Sequence, residues 1–211
     1  MPEAPDLEAI RGFLAPRIRG VPIASGQIQQ PIVARFGKDE FAAELAGSCV
    51  TAIERRGKFL LLALVSGRLL VINPMLTGRF QYVSPGERLR TKTCAVIDFA
   101  HGWQLRYVDA NLMGKLYLVD PEDLASVPQF AEMGPDVLDP ALTEAEFCRR
   151  IRRHPGMVKS ILTNHTFVAG IGNAYADEIL FVAGLHPYRR RSRLTEAQVR
   201  GLYAAVGEVM R

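Results

Sequence analysis

Cysteine is too scarce in this sequence to build a disulfide framework or a zinc site. The three cysteines, Cys49, Cys94 and Cys148, are far apart and form no C-x-x-C pair. Long apolar runs are also missing, because the longest, FLLLALV, is far shorter than the roughly 20 residues needed to cross a bilayer. The first residues are acidic where a secretory signal would be basic. These absences argue against a disulfide-rich, membrane-spanning or exported protein, and we expect an intracellular location, in the cytoplasm or nucleoid.

The charge of the chain is mildly basic and unevenly distributed. With 211 residues, 48% of them hydrophobic and 23% charged, the chain has the composition of a globular protein with one or two cores. Its formal net charge is +4, but residues 145–211 alone carry eleven Arg and Lys against five Asp and Glu, a net charge of +6. A basic C-terminal part favours an anionic partner such as nucleic acid. A solvated basic surface without a partner is the alternative.

The periodicity of the apolar residues changes along the chain and predicts an α+β fold. Leu7, Ile10 and Leu14 share one face of a short N-terminal helix. Residues from about 20 to 118 contain short β-type runs separated by Gly, Ser, Pro and Asn, which are typical of a β-sandwich or barrel. Helices are then predicted near residues 143–153, 157–164, 173–183 and 195–211, the first opened by a capping box of Thr143 with Glu146 and the last by Thr195 with Gln198.

This change of pattern divides the chain into three segments. Residues 1–120 form a β-rich N-terminal domain, and residues 143–211 form an all-helical domain. Residues 121–142, which are dense in Pro and Asp, are expected to be a linker between them.

The stretch HTFVAGIGNAYADEIL contains a candidate phosphate site. Gly170 and Gly172 permit a tight turn, and the first backbone N–H groups of the helix that follows could hold a phosphate oxygen. Asn173 could add a side-chain donor at the same place. A turn of this kind is also common where two helices simply pack, so the motif alone does not separate a binding site from a structural corner.

Four motifs follow one another along the chain. MPEAPDLE begins it, RRGKFLLL and MLTGRF lie in the β-rich part, and FVAGIGNAYADEILF lies in the helical part. In this order they resemble the N-terminus, lysine-bearing strand, DNA-inserting loop and helix–two-turn–helix of the formamidopyrimidine-DNA glycosylase and endonuclease VIII family of base-excision repair enzymes. The resemblance extends from residue 1 to about residue 187. It implies a DNA glycosylase with AP lyase activity, which excises oxidatively damaged bases and cleaves the strand at the abasic site.

The resemblance implies catalytic roles for residues near the N-terminus. Pro2, exposed by removal of Met1, would be the nucleophile, because its secondary amine can attack C1′ and form a Schiff base. Glu3 would be the general acid, although an acid here would also stabilise the start of a helix. Lys58 would contact the lesion phosphate, where the alternative is an ordinary lysine at the edge of a strand. Asp6 replaces the family's usual Glu and is counted with the DNA-binding residues, with helix capping as its other role.

The same resemblance implies DNA contacts in two loops and in the helical part. An extruded base leaves a gap that an apolar wedge can fill, and Leu76 matches the family's wedge. Asn111 and Met113 stand where the glycosylases specific for oxidised purines usually carry Arg and Phe. Because Asn is too short to read an orphaned cytosine as Arg does, a strict opposite-base preference is not expected, and the leucine wedge favours the endonuclease VIII branch. The remaining expected DNA contacts are Lys159, Gly170, Gly172 and Asn173.

The chain reaches Arg211 before the zinc ribbon, or zincless equivalent, that the family normally carries. Either that module has been lost or it lies beyond this residue. We favour the second, with zinc bound only in that module and no cofactor or metal expected within residues 1–211. The expected partner is double-stranded damaged DNA, bound by a monomer, with no membrane. One alternative function is a weakly catalytic or non-catalytic protein that binds damaged or abasic DNA. Another is a structural nucleic-acid module, which would leave Pro2, Glu3 and Lys58 unexplained.

Overall fold

The computed structural model describes all residues 1–211 and divides them into two compact units. Unit 1 contains residues 1–2 and 6–127, and unit 2 contains residues 3–5 and 128–211. Antiparallel sheets together with a helical C-terminal part confirm the predicted α+β class. None of the helices combines the length and apolar character that a bilayer crossing requires.

Unit 1 is a β-sandwich with an N-terminal helix. Its elements are α1 (Ala4–Ile18, of which residues 6–18 belong to this unit), β1 (Ile23–Ile28), α2 (Lys38–Leu45), β2 (Val50–Arg56), β3 (Phe59–Leu64), β4 (Leu69–Asn73), β5 (Gly78–Val83), β6 (Thr93–Phe99), β7 (Gln104–Asp109) and β8 (Lys115–Val119). The strands form two four-stranded antiparallel sheets, ordered β1-β6-β7-β5 and β2-β3-β4-β8. Side chains of both sheets share one core, which includes Leu60 and Leu70 of one sheet and Ile97 and Leu105 of the other.

The apolar run FLLLAL forms the central strand β3 and not a helix. It lies between β2 and β4, so both of its edges are hydrogen-bonded, and nearly all of its residues are buried. The turn from β2 to β3 passes through Gly57, which has a left-handed backbone (φ 58°). Lys58 is therefore fixed at the first position before a buried strand.

Unit 2 is a helical unit. It contains α3 (Glu144–Ile151), α4 (Val158–Leu162), α5 (Asn173–Val182), α6 (Glu196–Val209) and a 3-10 turn at Arg191–Arg193. Its core includes the fully buried Phe147, Phe167, Ile179 and Leu202. The rings of Phe147 and Phe167 meet edge to face with their centroids 5.1 Å apart.

The two predicted capping boxes have different outcomes. At α6 the reciprocal bonds between Thr195 and Gln198 are both present, so that prediction is confirmed. At α3 the Thr143 hydroxyl accepts the Glu146 N–H at 3.3 Å, but the reciprocal half of the predicted box is wrong. The Glu146 carboxylate is bound by Arg149 instead, at 2.6 and 2.7 Å, because a guanidinium three residues later on the same helix face competes for it.

The segment 121–142 is folded, and the boundary between the units lies inside it, after Val127. Val127, Val137 and Leu142 are all buried, and Val137 and Leu142 belong to the core of unit 2. Its aspartates shape turns, since the Asp139 carboxylate accepts the Ala141 N–H at 2.8 Å. The Pro and Asp residues of this segment therefore form turns, and the predicted linker bounds stay a prediction.

Candidate active site

A cleft of about 420 Å³ in unit 1 brings the first residues of the chain beside the start of β5. The residues that line it are Met1, Pro2, Asp6, Ile10, Leu76, Thr77, Gly78, Arg79 and Phe80. Pro2 is half-buried, whereas Asp6 and Leu76 are exposed. Because α1 begins at Ala4, Asp6 lies inside the first turn and does not occupy the capping position expected for it. The expected nucleophile and the expected wedge thus share one cleft.

The loop before β5 holds Leu76 out from the sandwich. Met75 adopts a left-handed backbone (φ 49°), and its N–H donates to the Asn73 side-chain oxygen at 3.1 Å. The Gly78 N–H donates to the Pro74 carbonyl at 2.9 Å. Residue 78 is glycine for lack of space, because a Cβ there would overlap the Pro74 backbone. The backbone on both sides of Leu76 is therefore fixed, while its side chain remains 54% exposed.

Asp109 joins this loop to the loop that carries Asn111 and Met113. Its fully buried carboxylate accepts hydrogen bonds from the Thr77 hydroxyl and from the backbone N–H groups of Asn111 at 3.2 Å and Gly114 at 2.6 Å. Burial alone would raise the pKa of Asp109, but these hydrogen bonds bring it below its ordinary value. Sequence reasoning missed this residue, whose only signal is an acid at the end of an apolar strand.

The loop after β7 exposes the two residues that were expected to face the opposite strand. Leu112 has a left-handed backbone (φ 54°) and packs its side chain against the core of unit 1. Its neighbours on either side, Asn111 and Met113, are both exposed. The turn therefore directs one partly buried apolar side chain towards the core and leaves two others available for contact.

Lys58 is half-buried in a turn that is held to α1 by a second missed residue, Arg55. The Arg55 side chain is only 7% exposed, and its Nε lies 3.1 Å from a Glu8 carboxylate oxygen. Arg55 also donates to the Gly57 carbonyl at 3.2 Å. The pKa of Glu8 lies below its ordinary value, chiefly because Arg11 donates a hydrogen bond to the Glu8 carboxylate. These contacts fix the position of the Lys58 turn relative to the helix that begins beside Pro2.

In unit 2 the Glu3 carboxylate caps helix α5. Its oxygens accept the backbone N–H groups of Gly172 at 2.5 Å and Ala174 at 3.1 Å, and the residue is only 2% exposed. The Ala4 N–H donates to the Gly170 carbonyl at 3.0 Å, which holds the same segment from its other side. Glu3 therefore supplies acceptors for backbone N–H groups at the start of α5 that have no partner within the helix.

Two glycines make this contact possible, each for a different reason. Gly170 has a left-handed backbone (φ 109°), which a side chain would strain. Gly172 has an ordinary φ of −121°, but a Cβ there would overlap the Glu3 carboxylate. The Gly172 N–H that was expected to meet a phosphate is thus bonded to a carboxylate of the protein itself. Phosphate binding at Gly170 and Gly172 stays a prediction.

A separate cleft of unit 2, of about 320 Å³, brings Lys159 and Asn173 together. Ser160, Thr163 and Tyr188 are among its other lining residues. The Lys159 ammonium lies 2.7 Å from an Asp177 carboxylate oxygen. Asn173 is exposed at the start of α5. An ammonium, an amide and three hydroxyls in one cleft are groups that contact phosphate oxygens in protein–DNA complexes.

The sequence matches two family models in succession. Residues 1–116 match the formamidopyrimidine-DNA glycosylase N-terminal domain, and residues 133–211 match the formamidopyrimidine-DNA glycosylase H2TH domain. The formamidopyrimidine-DNA glycosylase of Moorella thermoacetica is 36% identical over 213 residues, and that of Geobacillus kaustophilus is 36% identical over 216 residues. All of this chain is covered in both comparisons, together with 77% and 78% of the two relatives.

Solved structures of Lactococcus lactis formamidopyrimidine-DNA glycosylase have the same fold. One is a complex with DNA containing an abasic site, with a TM-score of 0.91 and 26% identity over 99% of this chain and 78% of that one. Another, bound non-covalently to DNA with an AP site, has a TM-score of 0.90 and 26% identity over 99% of this chain and 80% of that one. By its two matching domains and its similarity over the whole chain, this protein belongs to the formamidopyrimidine-DNA glycosylase family.

Proposed function

We propose that this protein is a DNA glycosylase that excises damaged bases from duplex DNA and then cleaves the strand as an AP lyase. The observation that carries the proposal is the unit 1 cleft in which Pro2 and Leu76 lie together. The name of the relatives, formamidopyrimidine-DNA glycosylase, supports a formamidopyrimidine base in DNA as substrate. The solved structures of relatives in complex with abasic-site DNA support damaged duplex DNA as the ligand of this protein.

Pro2 acts as the nucleophile once Met1 has been removed. Its secondary amine attacks C1′ of the damaged nucleotide and the bond between C1′ and the base breaks. The base leaves with the bonding electrons and gains a proton, in balance with the proton that the attacking nitrogen loses. An α-amino group is less basic than a lysine side chain, so a larger fraction of it is neutral at pH 7. An acylated proline nitrogen has no lone pair to donate, so the reaction requires Pro2 to carry a free amine.

Glu3 acts as the acid that opens the sugar. Protonation of the ring oxygen O4′ breaks its bond to C1′ and leaves an iminium between C1′ and the Pro2 nitrogen. The iminium withdraws electrons, so C2′ loses a proton to the Glu3 carboxylate and the 3′ phosphate departs with the electrons of its C–O bond, which is the β-elimination. Water then hydrolyses the iminium and frees the amine. The Gly172 and Ala174 N–H groups stabilise the Glu3 carboxylate after it has given up its proton.

The other expected residues bind the DNA. Lys58 places a positive charge at the phosphate of the lesion. Lys159 and Asn173 hold the backbone of the same duplex without reading its sequence. Leu76 fills the gap left by the extruded nucleotide. In this scheme every proton and electron pair moves between protein, DNA and water.

A single-turnover assay on a duplex containing one formamidopyrimidine tests the proposal. The wild-type protein should release the base and cleave the strand, and Glu3→Gln should bind the duplex equally well but release the base about a hundredfold more slowly. Glu208→Gln, which removes an exposed carboxylate near the end of α6, is the matched control and should react at the wild-type rate. A wild-type protein that binds the duplex without releasing the base would contradict the proposal and favour the non-catalytic DNA-binding alternative.

A further inference from the structure

A cleft of about 400 Å³ in unit 2 has no role in the proposed reaction. It lies between α3, the turn Arg191–Arg193 and α6, and we call it the α3–α6 cleft. It shares no lining residue with the cleft of Lys159 and Asn173. Its chemistry therefore needs an explanation of its own.

The floor of the α3–α6 cleft is apolar. It is formed by Ala145, Cys148, Ile151, Leu194 and Val199. Leu194 and Val199 pack against the core of unit 2, yet both keep part of their surface in the cleft. Covering this surface would release water from apolar groups, which favours an occupant with an aliphatic part. Phosphate groups of DNA offer no such part.

The rim of the cleft is basic. It carries the four arginines Arg149, Arg152, Arg191 and Arg200, against the two glutamates Glu144 and Glu196. Arg152 Nη2 lies 3.1 Å from a Glu196 carboxylate oxygen, and these two side chains are 65% and 76% exposed. Arg200 Nε lies 3.7 Å from a Glu144 carboxylate oxygen. Ion pairs this exposed contribute little to stability, so the arginines can exchange these partners for others at low cost.

Arg191 gives the most specific indication of a ligand. Its Nε is buried and has no hydrogen-bond acceptor within the protein. The backbone of the same residue is fixed, because its N–H donates to the Gly156 carbonyl at 2.9 Å. A buried donor without an acceptor is costly. Because Arg191 lines the cleft, a rotation of its side chain would bring this donor to a carboxylate oxygen bound there.

We propose that the α3–α6 cleft binds an acidic peptide segment of a partner protein, in which aspartate or glutamate alternates with aliphatic side chains. The carboxylates pair with the arginine rim and with Arg191 Nε, and an aliphatic side chain covers the floor beside Val199. The cleft holds only a few side chains, so the segment is short. This inference is independent of whether Pro2 is a nucleophile.

Fluorescence anisotropy with a short fluorescein-labelled peptide of alternating aspartate and leucine tests the proposal. Peptides with lysine in place of aspartate, or serine in place of leucine, are the controls and should bind about tenfold more weakly or worse. Arg191→Ala should weaken binding of the aspartate–leucine peptide about tenfold. Arg193→Ala, in the same turn but outside the cleft lining, should change the affinity less than about twofold.

Cys148 provides an independent readout of the same site. Cys94 is fully buried, so in a Cys49→Ser background Cys148 is the thiol open to alkylation. Bound peptide should slow its alkylation by a maleimide in proportion to occupancy. Unchanged alkylation at saturating peptide would overturn the proposal.

Several other results would also overturn it. Equal binding of the three peptides, or equal losses with Arg191→Ala and Arg193→Ala, would show that the cleft does not select this ligand. Displacement of the peptide by undamaged duplex DNA would assign the cleft to DNA, and self-association abolished by Arg191→Ala would assign it to a second copy of the chain.

A second variant, Arg200→Glu, replaces Arg191→Ala if the latter lowers the thermal unfolding midpoint. The Arg200 side chain is 63% exposed, so reversal of its charge should weaken peptide binding without affecting the fold.

Discussion

The backbone N–H of Gly172 donates a hydrogen bond to the carboxylate of Glu3, a residue 169 positions earlier in the chain, at 2.5 Å. With the Ala174 N–H, it makes the third residue of the protein the cap of α5. The proposed acid is therefore positioned by the start of a helix, and not by its neighbours in sequence. Its reactivity should depend on that helix start.

Gly172→Ala should slow base release about as strongly as Glu3→Gln, because the added Cβ overlaps the carboxylate and displaces it. Duplex affinity is measured separately, because Gly172 is also an expected phosphate contact. Single-turnover kinetics and DNA titration measure the two effects. Gly201→Ala is the matched control, because its Cβ meets nothing within 4 Å in the interior of α6, and it should raise the free energy of unfolding by about 0.5–1 kcal/mol. Wild-type base release by Gly172→Ala would show that the capped position of Glu3 is irrelevant to the reaction.

The contribution of Asp109 to stability should disappear in acid. Although burial opposes it, the hydrogen bonds from Thr77, Gly114 and Asn111 hold the pKa of Asp109 below its ordinary value in the folded protein. A carboxyl group of this kind stabilises the fold fully above its unfolded pKa of about 4, and the contribution is lost as the pH falls through the folded value.

Urea unfolding of Asp109→Asn measures this contribution. At neutral pH the variant should be less stable than the wild type by about 2–4 kcal/mol, and the difference should shrink steadily below about pH 4. Asp123→Asn, at an exposed position, should match the wild type throughout. A difference between Asp109→Asn and the wild type that is constant with pH would refute the charged role given to Asp109.

Leu76→Ala should slow excision from paired duplex while affecting the cleavage of a single-stranded abasic site far less. The reason is that unstacking costs a few kcal/mol in duplex DNA and is absent from the single strand. Parallel kinetics on the two substrates measure the ratio, with Ile32→Ala as a control, since Ile32 is 61% exposed outside the cleft. Equal impairment on both substrates would mean that Leu76 supports the fold and is no wedge.

Opposite-base preference should be weak in the wild-type protein and stronger in Asn111→Arg. Asn111 is exposed beside Met113 in a loop held by Asp109, so a longer side chain can extend from it without disturbing the core. Excision of one lesion opposite each of the four bases should vary modestly, and the variant should gain a preference for cytosine. A strong preference for cytosine in the wild-type protein would show that a residue other than Asn111 reads the orphaned base.

The sequence predicted those features of the fold that depend on residues close together in the chain. The cap at Thr195 and the central strand β3 could be predicted because each depends on residues a few positions apart or on one continuous apolar run. The bond from Gly172 to Glu3 could not, because only the folded chain brings residues 169 positions apart into contact. Asp109 was missed for the same reason, since its partner Thr77 lies 32 positions away.

Backbone conformation explains the other missed features. Met75 and Leu112 are not glycines, yet both adopt left-handed conformations. The Asn73 side chain supports the backbone of Met75, and packing of the Leu112 side chain against the core supports that of Leu112. Such conformations depend on contacts that propensities do not contain, so the exposure of the two loops could be expected only from the resemblance to a family.

Borohydride trapping on an abasic-site duplex, followed by mass spectrometry of the digested protein, tests the central proposal most directly. Reduction of the iminium fixes whichever amine attacked C1′. We expect the adduct on the N-terminal peptide, at Pro2, with Met1 absent from it, and the same adduct in Lys58→Ala at reduced yield. An adduct on Lys58, or none under conditions where the duplex is bound, would contradict the proposed mechanism.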